Sequence, residues 1–162
     1  MYMTSEIIIR LIADGAIVPI ILVGSLALLI YAPKGHRFEV YARILMAGLT
    51  SYLIAKLVGA VYQPSLERPF EILGVDPGAL FLNNPGFPSD HALFATALVA
   101  AVWYGTRKKK ALTIVLGSLV LLICIGRVLA LVHTPLDVIA GVAIGLMGAV
   151  WYIRAPNFLR KS

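Results

Sequence analysis

One arginine, one histidine and one aspartate interrupt an apolar run, Gly126-Arg127-Val128-Leu129-Ala130-Leu131-Val132-His133-Thr134-Pro135-Leu136-Asp137. A cation to bind an anion, an imidazole to attack it and a carboxylate to orient the imidazole form a set suited to phosphoryl transfer through histidine. Ionisable groups at membrane depth mark functional sites by default. Two other stretches supply what this one lacks. Pro88-Ser89-Asp90-His91 brings a second histidine, and Lys56 with Arg68-Pro69 brings two more cations. The same residues also have plainer readings. Thr134-Pro135-Leu136-Asp137 fits a helix start, with Thr134 as N-cap, Pro135 in the first turn and an acid at the third position. Taken singly, His133 suits a surface histidine and Arg127 a structural ion. Three such clusters on one side of one membrane protein favour chemistry.

The elements that must gather them follow from composition. With 60% hydrophobic residues, 14% charged and a mean hydropathy of +0.90, the chain has too little polar surface for a soluble domain. The expected fold is all-α: a polytopic membrane helix bundle of about five transmembrane helices with short interfacial helices, forming one domain over residues 1–162. The single cysteine, Cys124, rules out a disulfide framework. No stretch reads as a cleaved signal peptide, since Glu6 precedes the first base, Arg10, and the apolar run is long.

In chain order, residues 4–14 suit a helical turn or two lying at an interface before a span from about Gly15 to Tyr31, with Pro19 as a candidate kink. Helix two is expected from about Val40 to Tyr62, with Lys56 inside it. Five of the nine prolines fall between Gln63 and Pro88, a loop expected to carry one short interfacial helix near Phe70–Leu73 and another near Gly78–Leu82. Helix three opens at Ser89 or Asp90 and ends near Tyr104. Helix four runs from about Leu112 to Val132 and helix five from Pro135 to about Ile153.

Charge then sets the topology. Five spans put Lys34, Arg37, Arg43, Arg107, Lys108, Lys109, Lys110, Arg154, Arg160 and Lys161, ten of the fourteen bases, on one side, and seven of the eight acids on the other. By the positive-inside rule the motif face is extracytoplasmic and the C-terminus cytoplasmic in a multi-pass cell-membrane protein. The net charge of +6 therefore reports topology, and no nucleic-acid partner is expected. Trp103, Tyr104, Trp151 and Tyr152 read as an aromatic belt at the inner ends of helices three and five. Lys56 and Arg127 lie six and about five residues before their expected helix ends, roughly 7 to 9 Å below the outer surface at 1.5 Å per residue. The acids within the spans look too few to neutralise them, so the expected anion is the substrate. Ser89 and Asp90 sit where free backbone N–H groups at a helix start favour a phosphate.

These residues resemble the type 2 phosphatidic acid phosphatase superfamily of integral membrane lipid phosphatases. Its motifs are Lys, six residues, Arg-Pro; then Pro-Ser-Gly-His; then Ser-Arg, five residues, His, three residues, Asp. Here the third motif is Gly126-Arg127 through His133 to Asp137, with both spacings intact and only the leading serine replaced; the second is Pro88-Ser89-Asp90-His91; the first keeps Arg68-Pro69. Val61 stands where the family lysine belongs, so Lys56, twelve residues before Arg68, is the alternative. Asp90 replaces the family glycine, a variant associated with members resembling bacterial undecaprenyl diphosphatases.

The resemblance implies a metal-independent hydrolase that uses no cofactor. His133 would attack phosphorus to form a phosphohistidine, Asp137 would hold its imidazole in the reactive tautomer, and His91 would protonate the leaving oxygen and later activate water. Arg127, Arg68, Ser89 and Lys56 would bind the phosphate oxygens, and Asp90 would modulate His91 by favouring its acid form. The partners are membrane lipids and a lipid phosphate substrate, with a polyprenyl diphosphate such as undecaprenyl diphosphate expected first. Phosphatidylglycerol phosphate or another lipid monoester is the alternative within enzymes. From a different class, a non-catalytic anion channel or binding protein would use the same cations as selectivity charges. The vanadium-dependent haloperoxidases share the constellation, but five spans and the small size argue against that chemistry.

Overall fold

The computed structural model describes residues 2–106 and 109–153. Arg107, Lys108, Arg154, Arg160 and Lys161, counted above for topology, lie outside the described residues. The described chain is helical, and four stretches are long and apolar enough to cross a membrane: Ser5–Tyr31, Lys34–Val61, Lys110–Leu129 and Pro135–Ile153.

The first of these departs from expectation. α1 (Tyr2–Arg10) does not lie apart as an interfacial turn; it continues through a π-helical turn, Leu11–Gly15, into α2 (Ile17–Tyr31). The reason lies in what the π-helical turn buries and binds. Ala13 is fully buried, and Asp14, which would be a liability inside a span, has partners described below. Pro19 falls in the first turn of α2, where a missing N–H costs least.

A 3-10 turn, Lys34–His36, leads into α3 (Arg37–Val61), which starts three residues earlier than Val40. The polar loop that follows carries α4 (Pro69–Leu73), started by Pro69 at its first position and by the Glu71 carboxylate accepting the Arg68 backbone N–H at 2.6 Å. The second interfacial helix, near Gly78–Leu82, is not formed. Its backbone groups bond across the fold: Gly78 N–H to Ala130 O at 3.0 Å, Leu80 N–H to Asp14 Oδ2 at 2.9 Å, and Leu82 O to Arg68 Nη2 at 3.1 Å. These bonds to three distant elements hold the segment in a non-helical path.

α5 (Asp90–Gly105) has 16 residues, about 24 Å of helix, short of a ~30 Å hydrocarbon core. It is the centre of the bundle, packed against α2, α3, α6 (Lys110–Leu129) and α7 (Pro135–Met147). α7 approaches it through small residues, the route open to helices in lipid. A Cβ on Gly141 would stand 2.5 Å from Ser89 O, and one on Gly145 2.7 Å from Leu93 O. This close face fixes the start of α7 against the start of α5, and Ser89 N–H donates to Asp137 O at 3.0 Å.

The fifth expected helix is interrupted between Met147 and α8 (Val150–Ile153). Ser51 of α3 causes the break: its Oγ donates to Gly145 O at 3.2 Å and accepts Gly148 N–H at 3.1 Å. A side chain inserted into the ladder bends a helix there. At this end Tyr104 stacks on Tyr152 at 4.3 Å, and Trp151 Nε1 donates to Thr50 Oγ1 at 3.0 Å.

Candidate active site

α6 ends at Leu129, three residues short of the expected Val132, and the chain reverses into α7 through a turn built by the loop opposite. Leu131 adopts φ 59°, left-handed for a residue with a Cβ, a conformation that persists only where neighbours impose it. Three consecutive carbonyls impose it here. Ala130 O accepts Gly78 N–H and Leu131 O accepts Phe70 N–H, each at 3.0 Å, and Val132 O accepts Arg68 Nη1 at 2.6 Å. With its backbone satisfied from outside, this short turn stays buried and presents His133, only 5% exposed.

The capping reading of Thr134–Asp137 is correct. Thr134 N–H donates to Asp137 Oδ2 at 2.7 Å, and Asp137 N–H donates to Thr134 Oγ1 at 3.2 Å. The histidine reading is compatible with it, because Asp137 Oδ2 also lies 3.5 Å from His133 Nδ1. That nitrogen has no other partner among the described residues. Burial pushes the His133 imidazole below the ordinary histidine value; Asp137 opposes the shift, while Arg127 and Arg68 reinforce it. The neutral, nucleophilic form is therefore favoured.

Arg127 is 1% exposed and the largest fully buried side chain among the described residues. The earlier helix end places it two residues from Leu129, about 3 Å along the axis rather than 7 to 9 Å. The expectation that no acid neutralises it is corrected: Nη1 donates to Asp14 Oδ1 at 2.8 Å and to Leu80 O at 2.8 Å. Arg68 caps the opposite wall. Its Nη2 contacts Leu82 O, Asn84 O and Asn84 Oδ1, each at 3.1 Å, and its guanidinium lies over the Phe81 ring. Gly86 sits close enough that a Cβ would be 3.3 Å from Arg68 Nη1 and 3.6 Å from Asp137 Oδ2.

A cleft of about 160 Å³ opens between these groups, lined by Arg68, Arg127, His133, His91 and Asp90 and walled by Leu80–Leu82 and Asn84–Gly86. That is several times the roughly 30 Å³ a water takes up in the liquid. The fold thus brings both arginines and both histidines of the sequence reading to one cavity. Asp137 stands behind His133. Ser89 is fully buried at the N-cap of α5 but does not cap it; its Oγ has no partner among the described residues. Lys56 does not line the cleft: it is exposed at the rim, its Nζ 3.4 Å from Asp90 Oδ1 and 5.1 Å from the Tyr52 ring centroid. Asp14, Asn84 and Gly86 are additions that the sequence reading did not include. Among the described residues no three His, Cys, Asp or Glu side chains are grouped to hold a metal ion.

Comparison with curated proteins and with solved structures returns no match. A sequence profile of the PAP2 superfamily matches residues 39–161, 123 of the 162 residues. The matched span runs from ahead of Lys56 to beyond Asp137 and so contains all three clusters, and the chain belongs to the PAP2 superfamily, whose members are phosphatases.

Proposed function

We propose that this membrane protein hydrolyses a lipid phosphate, with a polyprenyl diphosphate of the undecaprenyl type as the first candidate, through a phosphohistidine. His133, its Nδ1 turned to Asp137, attacks phosphorus through Nε2, and the bond to the leaving oxygen breaks as His91 delivers a proton to it. Without bound substrate, burial and Arg127 push the His91 imidazole down to about 4, so the expectation that Asp90 favours its acid form is corrected, and it is the bound phosphate anion that raises His91 for this step. His91 then takes a proton from water, which attacks the phosphohistidine, releases phosphate and returns His133 to its neutral form. Arg127 and Arg68 hold the phosphate oxygens, whose charge spreads in the transition state; the Ser89 hydroxyl, fully buried, does not line the cleft and makes no phosphate contact. Lys56 enters at the rim as the partner of Asp90.

The observation that carries this reading is the shared cleft of Arg127, Arg68, His91 and His133, with Asp137 3.5 Å behind the nucleophile. A lipid substrate is favoured by the apolar wall beside it, since Leu80 is 63% and Leu82 66% exposed. The arginines already supply positive charge to the phosphate, so a divalent ion would duplicate their work. An extracytoplasmic site is favoured by the basic residues gathered at the other end of the sequence topology.

The test is phosphate release from a panel of lipid mono- and diphosphates by purified protein in excess chelator. Full turnover is expected, with inhibition by vanadate, which adopts the geometry of phosphorus under attack. Labelled phosphate trapped on the protein should survive an alkaline quench and be lost in acid. Loss of activity on chelation, restored by magnesium, would overturn the histidine mechanism.

A further inference from the structure

Asp14 lies outside the family-matched stretch 39–161, yet it binds the most deeply buried cation of the cleft. We propose that Asp14 is a positioning residue for Arg127, contributed by the N-terminal helix; this rests on reading the cleft as a phosphate site. A guanidinium offers two edges for bidentate recognition of an oxyanion. One is fixed here, because the Arg127 Nη1 donates at 2.8 Å to both Asp14 Oδ1 and Leu80 O. Asp14 Oδ2 in turn accepts the Leu80 N–H at 2.9 Å, closing a ring of three residues. Arg127 Nε is buried without a partner among the described residues, so the Nε–Nη2 edge remains for the phosphate.

Two features of the chain are explained by this ring. The π-helical turn Leu11–Gly15 is a rare geometry associated with functional sites, and it carries Asp14. Gly126, where the family motif has serine, faces that turn: a Cβ there would stand 2.8 Å from Ala13 N and 3.0 Å from Ala13 Cα. The motif's departure from serine and the N-terminal acid are therefore two sides of one contact.

The experiment uses the full-length protein in detergent, with hydrolysis of a lipid diphosphate and binding of orthovanadate as separate readouts. Asp14→Ala should lower kcat/KM by about tenfold or more and weaken orthovanadate by a similar factor. Added to Arg127→Ala it should cost less than about twofold further, because the two act as a unit. Asp14→Asn, which keeps an acceptor for Leu80 N–H, should fold like wild type and recover part of the loss. A role confined to holding α1 in place would lower thermal stability and leave orthovanadate affinity of the folded protein unchanged. Orthovanadate affinity within about twofold of wild type in both Asp14 variants would overturn the proposal, as would a full multiplicative loss in the double variant. If wild type releases no phosphate from any lipid, the phosphatase reading fails separately, and orthovanadate binding alone decides the role of Asp14.

Discussion

His133 Nδ1 lies 3.5 Å from Asp137 Oδ2, and that same oxygen accepts the backbone N–H of Thr134 at 2.7 Å. One carboxylate thus starts α7 and faces the histidine, so the helix start and the setting of the proposed nucleophile depend on a single side chain. Its two roles separate by substitution. Asp137→Asn keeps an oxygen for Thr134 N–H but loses the charge that holds the imidazole, so stability should be nearly unchanged while kcat falls by on the order of 10² to 10⁴. Asp137→Ala should lose a further ~1 kcal/mol of stability with the cap. Measured kcat and thermal unfolding of both variants check this, and an Asn variant turning over within about tenfold of wild type would sink the orienting role.

Burial and the two arginines hold His133 below the ordinary histidine pKa, with Asp137 opposing. A group that must be neutral to attack, and whose pKa is lowered, stays competent as pH falls past its ordinary value of about 6.5. The acid limb of kcat/KM that reports His133 should therefore lie below pH ~6.5. The unfolded chain binds this proton more readily than the folded one, so His133 also makes stability decline as pH falls below that value and leaves it flat above. Removing the opposing charge with Asp137→Asn should move the limb lower still, because the surviving influences all lower the pKa. A limb unmoved in that variant would assign it to another group.

The parts of this site that were legible in sequence are those with local signatures. Thr134-Pro135-Leu136-Asp137 announces a helix start by residue type alone, and the four-residue step from His133 to Asp137 survives whether or not the histidine is itself helical. α4, expected near Phe70–Leu73, forms at Pro69–Leu73, and its start at Pro69 and left-handed close at Gly74 are local as well. Asp14 was not legible, because its bond to Arg127 spans 113 residues and depends on a π-helical turn that no residue pattern in Leu11–Gly15 announces. α6 ends before the expected Val132 for a related reason. Ala130-Leu131-Val132 is good helix sequence, and only donors from the distant loop, Phe70, Gly78 and Arg68, pull it into a turn. Depth along a helix says nothing about which way a side chain faces, and Lys56 faces Asp90.

The contact between Gly126 and the π-helical turn predicts that restoring the family residue harms this chain. Gly126→Ser adds a Cβ 2.8 Å from Ala13 N, and backbone cannot yield as a flexible side chain would. The turn must move, and Asp14 with it. Overpacking of this kind typically costs 1–3 kcal/mol, and kcat/KM should fall by about tenfold or more as Arg127 loses its fixed edge. Kinetics and thermal unfolding of the one variant decide it; activity at or above wild type would mean that the close approach is unimportant.

The seam between α5 and α7 should be as intolerant. Gly145→Val would drive a side chain into Leu93 O, 2.7 Å from the new Cβ, and into Thr96 Cβ at 3.0 Å. A loss of about 1–3 kcal/mol is expected, together with activity, since α7 carries Asp137 and α5 carries His91. Gly48→Ala is the control, because nothing lies within 4 Å of a Cβ there. Thermal unfolding in detergent should separate the two, and equal stability would show that α7 can slide on α5 without consequence.

The proposed orientation is argued from charge and is open to direct labelling. In a background with Cys124→Ala, a cysteine at Asp76, in the exposed loop on the cleft side, should react with an impermeant thiol reagent added to intact cells. A cysteine at Lys109, exposed at the opposite end of the bundle ahead of α6, should react only after lysis. The positions differ in more than distance: the loop around Asp76 is acidic, whereas Lys109 belongs to the basic cluster that the positive-inside rule retains in the cytoplasm. Moving lysines across would oppose that bias, so intermediate labelling of both sites is not expected. The reverse pattern would turn the cleft of His133 and Arg127 toward the cytoplasm, and the substrate would then be drawn from the inner leaflet.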